Sequence, residues 1–551
     1  MLLYLIFLSL SIFSFSFKCG HDKIKKIPKI ANDSLIENNK RRLDDTYHSI
    51  SFFVDYTQLD RDSADTTYKN FLKSAIESTL EIFSELIKVK RTKNLVFKNP
   101  AECSNKITYY NNQITTGVDR DIILFPIIDR TLEAGVDAAA SACYVEPTTY
   151  RPTMGYVLLN QNYAYTKTNA KDFLTMLLLH EITHVLVFSD SLYSYFNYKG
   201  DVTTTSTING ISRTLIKTPK VRSIAAQHFN CSSIVGVELE NQGGEGSAGS
   251  HWEGRVMLGD YMISTDYLEI VISDISLALF EDSGWYQVNY YTGGLFRFGK
   301  GQGCNFLNSP CVSSGRSNFE LDFCDTSNNL CSVNNIFRGF CYLKEYTSSL
   351  PSSYQYFENK KIGGWEPADY CPVPIESSSN TYYFKSSCIY GETSTVENNY
   401  PSSLGFSISN NSICFQSSLV SSSDISLKNY AFKRSMCHQI LCNYTSKTII
   451  VDIGTSRIDC PTNGGEMEVD GYNGTILCPP FNRVCTSTTY TGNPIEAALN
   501  HIVNSDIDYS YILPDVENNV NTDEIYDYDS HRFLEIGLYK YILLLFLYFI
   551  N

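Results

Sequence analysis

Residues His180-Glu181-Ile182-Thr183-His184 set two imidazoles four positions apart, with a carboxylate beside the first. Upstream run Phe173, Leu174, Met176, Leu177, Leu178 and Leu179, so the pentad is expected on a largely buried helix. Positions i and i+4 of a helix share one face, a turn apart. Two imidazoles there can hold one Zn²⁺, and Glu181 between them can reach the water that the metal binds. Zinc lowers the pKa of that water toward neutrality, and the carboxylate takes its proton and passes it to a leaving amine. The chemistry in prospect is amide hydrolysis, with Glu181 as general base. The competing reading of the pentad alone is a pair of helix histidines that bind no metal.

A catalytic zinc takes three protein ligands plus water. The commonest spacing puts the third histidine six residues after the second, but that position is Asp190. The chain has nine histidines, which narrows the search. His251 is the strongest candidate, in Glu240-Asn-Gln-Gly-Gly-Glu-Gly-Ser-Ala-Gly-Ser-His251-Trp252-Glu253, where glycines let backbone approach a site closely. Eleven residues later comes Met262, in Gly259-Asp-Tyr-Met262, where a methionine turn beneath the metal is expected. His228 is the runner-up ligand and has no such context.

Elements of several kinds must position these groups. Ser49 to Val54 is patterned as a strand, and Asn70 to Lys90 spaces its apolar residues by threes and fours, as an amphipathic helix does. Leu95 to Phe97, Ile122 to Phe125 and Met154 to Leu159 are short strand candidates, giving strand–helix–strand alternation in the amino-terminal lobe. Ala138 to Ala142 is open to two readings: an edge strand that pairs with an extended peptide, or a packed helix of small residues. Beyond Lys300 the composition turns to Ser, Asn, Tyr and Cys, with frequent turns and no long amphipathic helix. The expected class is α+β: a mixed domain over residues 49–300, then a disulfide-rich, loop- and β-rich domain over residues 301–510.

Composition bounds the function. The 551 residues carry a net charge of −15, which argues against a phosphate-coating nucleic-acid binder. Seventeen cysteines, most after residue 300, point to an oxidising compartment. Leu2 to Phe17 is an apolar run too short to span a bilayer comfortably, expected as a signal peptide ending near Ser16. Residues 17–48 follow as a polar pro-segment, in which Lys40, Arg41 and Arg42 are a processing site or a solvated run. Asn32, Asn230, Asn410, Asn443 and Asn473 are N-glycosylation acceptors. Residues 511–551 join an acidic spacer to an apolar tail, expected as a lipid-attachment signal with Asn521 the best site, or as a membrane anchor. Cys19 stands apart in Phe17-Lys-Cys19-Gly-His21-Asp22, and setting it aside leaves sixteen cysteines, an even number compatible with eight disulfides.

Three blocks together resemble the leishmanolysin-like zinc metallopeptidases. They are HEITHVLVFS, ENQGGEGSAGSHWEGRVMLGDYM and Leu277-Ala-Leu-Phe-Glu-Asp-Ser-Gly-Trp-Tyr286. The likeness extends to Arg151-Pro152, the spaced cysteines after Cys304, and Asp369-Tyr-Cys-Pro-Val373, covering about residues 50 to 490. It implies a metzincin-type peptidase domain with a long insertion, about residues 190–245. It implies one zinc per chain on His180, His184 and His251, Glu181 as general base, and Met262 as the Met-turn residue. Protein or peptide substrates, a secreted or surface-anchored location and a cysteine switch follow from the same likeness, with Cys19 a zinc ligand of the latent form. The family usually has Gly where this chain has Val187. A β-branched residue resists the left-handed conformation that Gly adopts at a helix end, so the helix is expected to end differently here. The alternative function is adhesion or binding on a catalytically weakened scaffold of this family.

Overall fold

Six strands build the sheet on which the histidine helix rests. In chain order they are β1 (Lys18–Cys19), β2 (Lys29–Ile30), β3 (Phe52–Val54), β4 (Ile122–Asp129), β5 (Val136–Val145) and β6 (Pro152–Asn160). The order across the sheet is β1-β5-β6-β4-β3, and β2 also pairs with β5. Strands β3, β4 and β6 run parallel, and β5 runs antiparallel to β6. The computed structural model describes residues 18–31 and 46–485, apart from 92–93, 134, 164–169, 243–247, 266–270, 291–295, 326–328, 376–386, 389–400, 410 and 425–433. The signal peptide, the Lys40–Arg42 run, the tail with Asn521, and the acceptors Asn32 and Asn410 therefore lie outside the described residues. Residues Met1–Pro514 group as one unit and Asp515–Asn551 as a second, which falls wholly among those not described.

Strand β4 is buried along its whole length, and successive side chains point to opposite faces of a sheet. Ile122, Leu124 and Ile128 accordingly enter one core, while Ile123, Phe125 and Ile127 enter another. The first core also receives helix α1 (Thr66–Leu86) and helix α2 (Ala170–Leu186), which pack on each other. Asp65 caps α1 by accepting from Tyr68 N at 3.1 Å, satisfying one of the open amides of the first turn. The apolar stripe ends at Leu86, because Ile87 to Lys90 leave the helix for a strand paired with Tyr47–Ser49 and Tyr286–Val288. The helix is thus shifted toward the amino terminus from the span expected. The strand expected over Ser49 to Val54 is split at Ile50 and Ser51, where Asp121 accepts from both Ser51 N (2.8 Å) and Ser51 Oγ (2.7 Å). Leu95 makes one bridge to Val118 instead of opening a strand. Ala138 to Ala142 lie in β5, so the strand reading holds.

Every residue of α2 from Leu174 to Leu186 is buried, as a helix within a core must be. Gly155 of β6 makes the contact possible, since a Cβ there would lie 2.4 Å from Val185 Cγ1 and 3.0 Å from Ser141 O. After α2 the chain forms the hairpin β7 (Thr203–Ile208) and β8 (Ile211–Ile216), helix α3 (Pro219–Phe229) and the short β9 (Val237–Glu238), which pairs with β8. Helices α4 (Gly254–Met257) and α5 (Asp274–Asp282) complete the surroundings of the site.

Eight disulfides use sixteen of the cysteines, from Cys103–Cys143 to Cys460–Cys478, and Cys19 takes no part in them. The carboxy-terminal region is more regular than its composition suggested. Six antiparallel strands, β10 (Ser412–Ser417), β11 (Arg434–Asn443), β12 (Thr448–Ile453), β13 (Ser456–Cys460), β14 (Gly465–Met467) and β15 (Ile476–Cys478), make one sheet in the order β13-β12-β11-β10-β15-β14. Alternation in β12 buries Ile449, Val451 and Ile453 in a small core that disulfides reinforce.

Candidate active site

Helix α2 brings His180 and His184 together, with Nε2 atoms 3.0 Å apart. His251 Nε2 lies 3.2 Å from His180 Nε2, and Cys19 Sγ lies 3.3 Å from His184 Nε2. All four residues are buried, and their ligand atoms lie within 4.8 Å of one another. Among the described residues no other group of His, Cys, Asp and Glu is gathered this way. Glu181 is fully buried between the two helix histidines.

Hydrogen bonds fix what these rings offer. His180 Nδ1 lies 2.7 Å from Tyr261 O, and His184 Nδ1 lies 2.7 Å from Phe188 O. A carbonyl only accepts, so each Nδ1 carries the proton and donates it. Burial, with the neighbouring imidazoles adding to it, holds both rings well below the usual imidazole pKa and therefore neutral. Each Nε2 is then a bare lone pair, and two such acceptors at 3.0 Å repel unless a cation sits between them. Tetrahedral zinc with Zn–N near 2.05 Å sets its nitrogens roughly 3.3 Å apart, and a Zn–S bond near 2.3 Å sets sulfur and nitrogen roughly 3.5 Å apart. The observed separations of 3.0, 3.2 and 3.3 Å fit that ion.

His251 is reached across a long stretch of chain and held on both sides. Leu239 and Trp252 form an antiparallel bridge, with Glu240 N donating to His251 O (2.9 Å) and Glu253 N donating to Glu238 O (3.0 Å). On the other side Trp252 N donates to Met262 O at 2.9 Å. Met262 is fully buried, and its own N–H donates to Asp260 Oδ1 at 2.7 Å. The Asp260 carboxylate accepts from Ser276 Oγ, which in turn accepts from Trp252 Nε1 at 2.7 Å. The Met262 turn and the His251 segment are thereby tied together, a link with no separate signal in the sequence.

His228 is elsewhere. Its Nε2 lies 2.8 Å from Phe298 O and its ring stacks on Phe296, so the runner-up ligand has no place in the cluster. Val187 closes α2 without a left-handed turn: it has no positive φ, and both Val187 N (2.8 Å) and Phe188 N (3.0 Å) donate to Thr183 O. That turn delivers Phe188 O to His184. The helix end differs from the glycine pattern, and the histidine geometry survives it.

The residues around Cys19 cover the site. Strand β1 pairs in parallel with β5, placing Cys19 opposite Ala138, and β2 pairs farther along the same strand. His21 stacks on His184 with ring centroids 4.0 Å apart, and its ring nitrogens contact Ala140 O (2.5 Å) and Ser189 Oγ (2.9 Å). Sequence reasoning did not give His21 this part, although its place two residues after Cys19 was the available signal. Lys23 pairs with Glu133, Lys25 with Asp190 at 2.8 Å and Lys29 with Glu102 at 3.0 Å.

Over residues 63–491 the chain matches the family model described as leishmanolysin. The chain belongs to the leishmanolysin family. It is 28% identical over 415 residues to a leishmanolysin homolog of Crithidia fasciculata, covering 70% of this chain and 58% of that one. It is 29% identical over 421 residues to a leishmanolysin-like peptidase of Drosophila pseudoobscura pseudoobscura, covering 64% and 60%. To leishmanolysin of Leishmania tropica it is 26% identical over 389 residues, covering 68% and 56%. The match thus spans less than two thirds of the length of each of these leishmanolysin relatives. The His180, His184 and His251 cluster lies inside the matched region, and Cys19 lies ahead of it.

Proposed function

We propose that this protein is a zinc metalloendopeptidase that hydrolyses peptide bonds of proteins or peptides outside the cell. The observation that carries the reading is the convergence of three buried imidazoles beside a buried glutamate, in a chain of the leishmanolysin family. His180, His184 and His251 would hold one zinc ion, over a Met-turn at Met262. Bound zinc supplies Lewis acidity, which lowers the pKa of a water to near neutrality. Glu181 takes the proton from the attacking water and delivers it to the departing amine, so no free base or acid is needed. Tyr261 O and Phe188 O hold the two helix rings in the tautomer that keeps Nε2 open, which raises their basicity as ligands. Strand β5, the edge covered by the residues around Cys19, is the strand along which an extended substrate would lie after their removal.

In domain terms we infer a metzincin-type peptidase domain over residues 49–300 with an insertion near 190–245, followed by the cysteine-rich domain. The eight disulfides support an oxidising, extracellular setting. Membrane attachment through residues 511–551 is inferred from the polar spacer and apolar tail alone.

Cys19 is proposed as the fourth ligand of a latent form. His21 N donates to its sulfur at 3.4 Å, an interaction that favours thiolate, and thiolate is a strong zinc ligand. The precursor is therefore expected to be inactive and to be activated by a thiol-modifying mercurial before any chain cleavage. Cys19→Ser should give a precursor active without processing, because a serine hydroxyl stays protonated at neutral pH. Activity of the folded, zinc-loaded Cys19→Ser precursor on a denatured protein is the check. A variant as silent as the parent would assign latency to steric cover by the lysine-clamped segment instead.

A further inference from the structure

The motif Asp369-Tyr-Cys-Pro-Val373 lies far from the histidine pentad in sequence and has no part in the chemistry above. Its aspartate is nevertheless buried against the segment that carries His251. Arg213, on β8, donates through Nη1 to Glu238 and through Nη2 to Asp369 Oδ2 at 2.6 Å. The three side chains are 2%, 3% and 0% exposed, so this is an interior node rather than a surface pair. Asp369 Oδ1 accepts from Gln242 Nε2 at 2.8 Å. Glu238 begins the stretch 238–240 whose backbone pairs with His251 and Glu253, and Gln242 follows it.

The far side of His251 is pinned by the same region. A Cβ on Gly254 would lie 2.3 Å from Pro367 O, so the backbone after Glu253 rests directly on residues 366–368. Arg255 is buried and donates through Nη2 to Phe306 O at 2.9 Å and to Ser309 O. Asp369 and Tyr370 both have positive φ (54° and 58°), a conformation held by Tyr356 Oη donating to Asp369 O (3.0 Å) and by the neighbouring Cys311–Cys371 disulfide. A guanidinium fork is suited to bridging two carboxylates at fixed angles, which a lysine cannot do. Cutting one member of such a buried node leaves the others desolvated and uncompensated, so the backbone they hold must shift.

We propose that Asp369 and Arg213 are positioning residues for His251, through which the disulfide-rich region sets the geometry of the zinc site. This rests on the reading of His251 as a zinc ligand. The full processed chain is tested by competing zinc away with a chelator, under conditions where each variant is folded. Asp369→Asn and Arg213→Lys are expected to weaken zinc binding by about 10-fold, the lower end for outer partners of a metal site. The visible absorption of the cobalt-substituted variants should lose intensity as the tetrahedral site relaxes. Gln242→Ala, which removes one hydrogen bond and leaves the ion pairs, should give a smaller loss in the same direction and serves if the others fail to fold. Asp322→Asn is the control, because it unpairs an equally buried arginine, Arg483, elsewhere in the chain. Equal weakening by Asp322→Asn would reduce the effect to general destabilisation and overturn the proposal. Loss of zinc in His251→Ala with none in Asp369→Asn overturns the brace alone. Full zinc affinity in His251→Ala overturns the ligand assignment and the brace with it.

Discussion

Glu181→Gln is expected to lower peptide hydrolysis by about two to four orders of magnitude, the range for loss of a general base. The zinc content should not change. Glutamine keeps the size of the side chain in a position that is fully buried, so packing of α2 is preserved. It cannot take a proton from water, and the acceleration that depends on that transfer is lost. His180 and His184 are expected to stay in place because Tyr261 O and Phe188 O hold their rings. Full activity in the zinc-loaded variant would rule out this mechanism.

His251→Ala should remove zinc from the processed protein, whereas His228→Ala should leave it bound. Losing one of three protein ligands must cost more than the roughly 10–100-fold that loss of an outer partner costs. His228 is committed to Phe298 O, and desolvation lowers its pKa to about 3, so it is a neutral, part-buried histidine. Its replacement removes a hydrogen bond and a stacking contact and nothing at the metal. Metal content by elemental analysis separates the two variants. Zinc retained without His251, or lost without His228, contradicts the ligand set.

The legible part of the site was the part encoded locally. Four-residue spacing on an apolar helix placed His180 and His184, and a glycine-rich approach with Trp252 singled out His251 before any geometry was known. Tyr261 O and Phe188 O could not be read, because any backbone carbonyl can accept and only tertiary packing selects which one does. Likewise β1 and β2 are two residues each, too short to show a period, so their pairing with β5 had no sequence signal.

Fold boundaries failed where a side chain overrode the pattern. Asp65 started α1 at Thr66, four residues ahead of the Asn70 start expected, and Asp121 broke the strand at Ser51. In the carboxy-terminal region the β content was expected but its individual strands were not placed, for a different reason. Its strands alternate within a Ser- and Cys-rich composition that reads as loop, yet Thr448-Ile-Ile-Val-Asp-Ile453 carried a usable two-residue period. Val187 ends α2 without a left-handed turn, and the Nε2 atoms of His180 and His184 lie 3.0 Å apart.

The central claim is that one zinc ion on His180, His184 and His251 is required for hydrolysis. The processed chain, freed of the segment that carries Cys19, should contain one zinc per molecule and cleave a denatured protein. Dialysis against a chelator should remove zinc and cleavage together, and stoichiometric zinc should restore both. Cleavage that persists after the zinc is gone, or a folded processed chain that binds no zinc, would contradict the account.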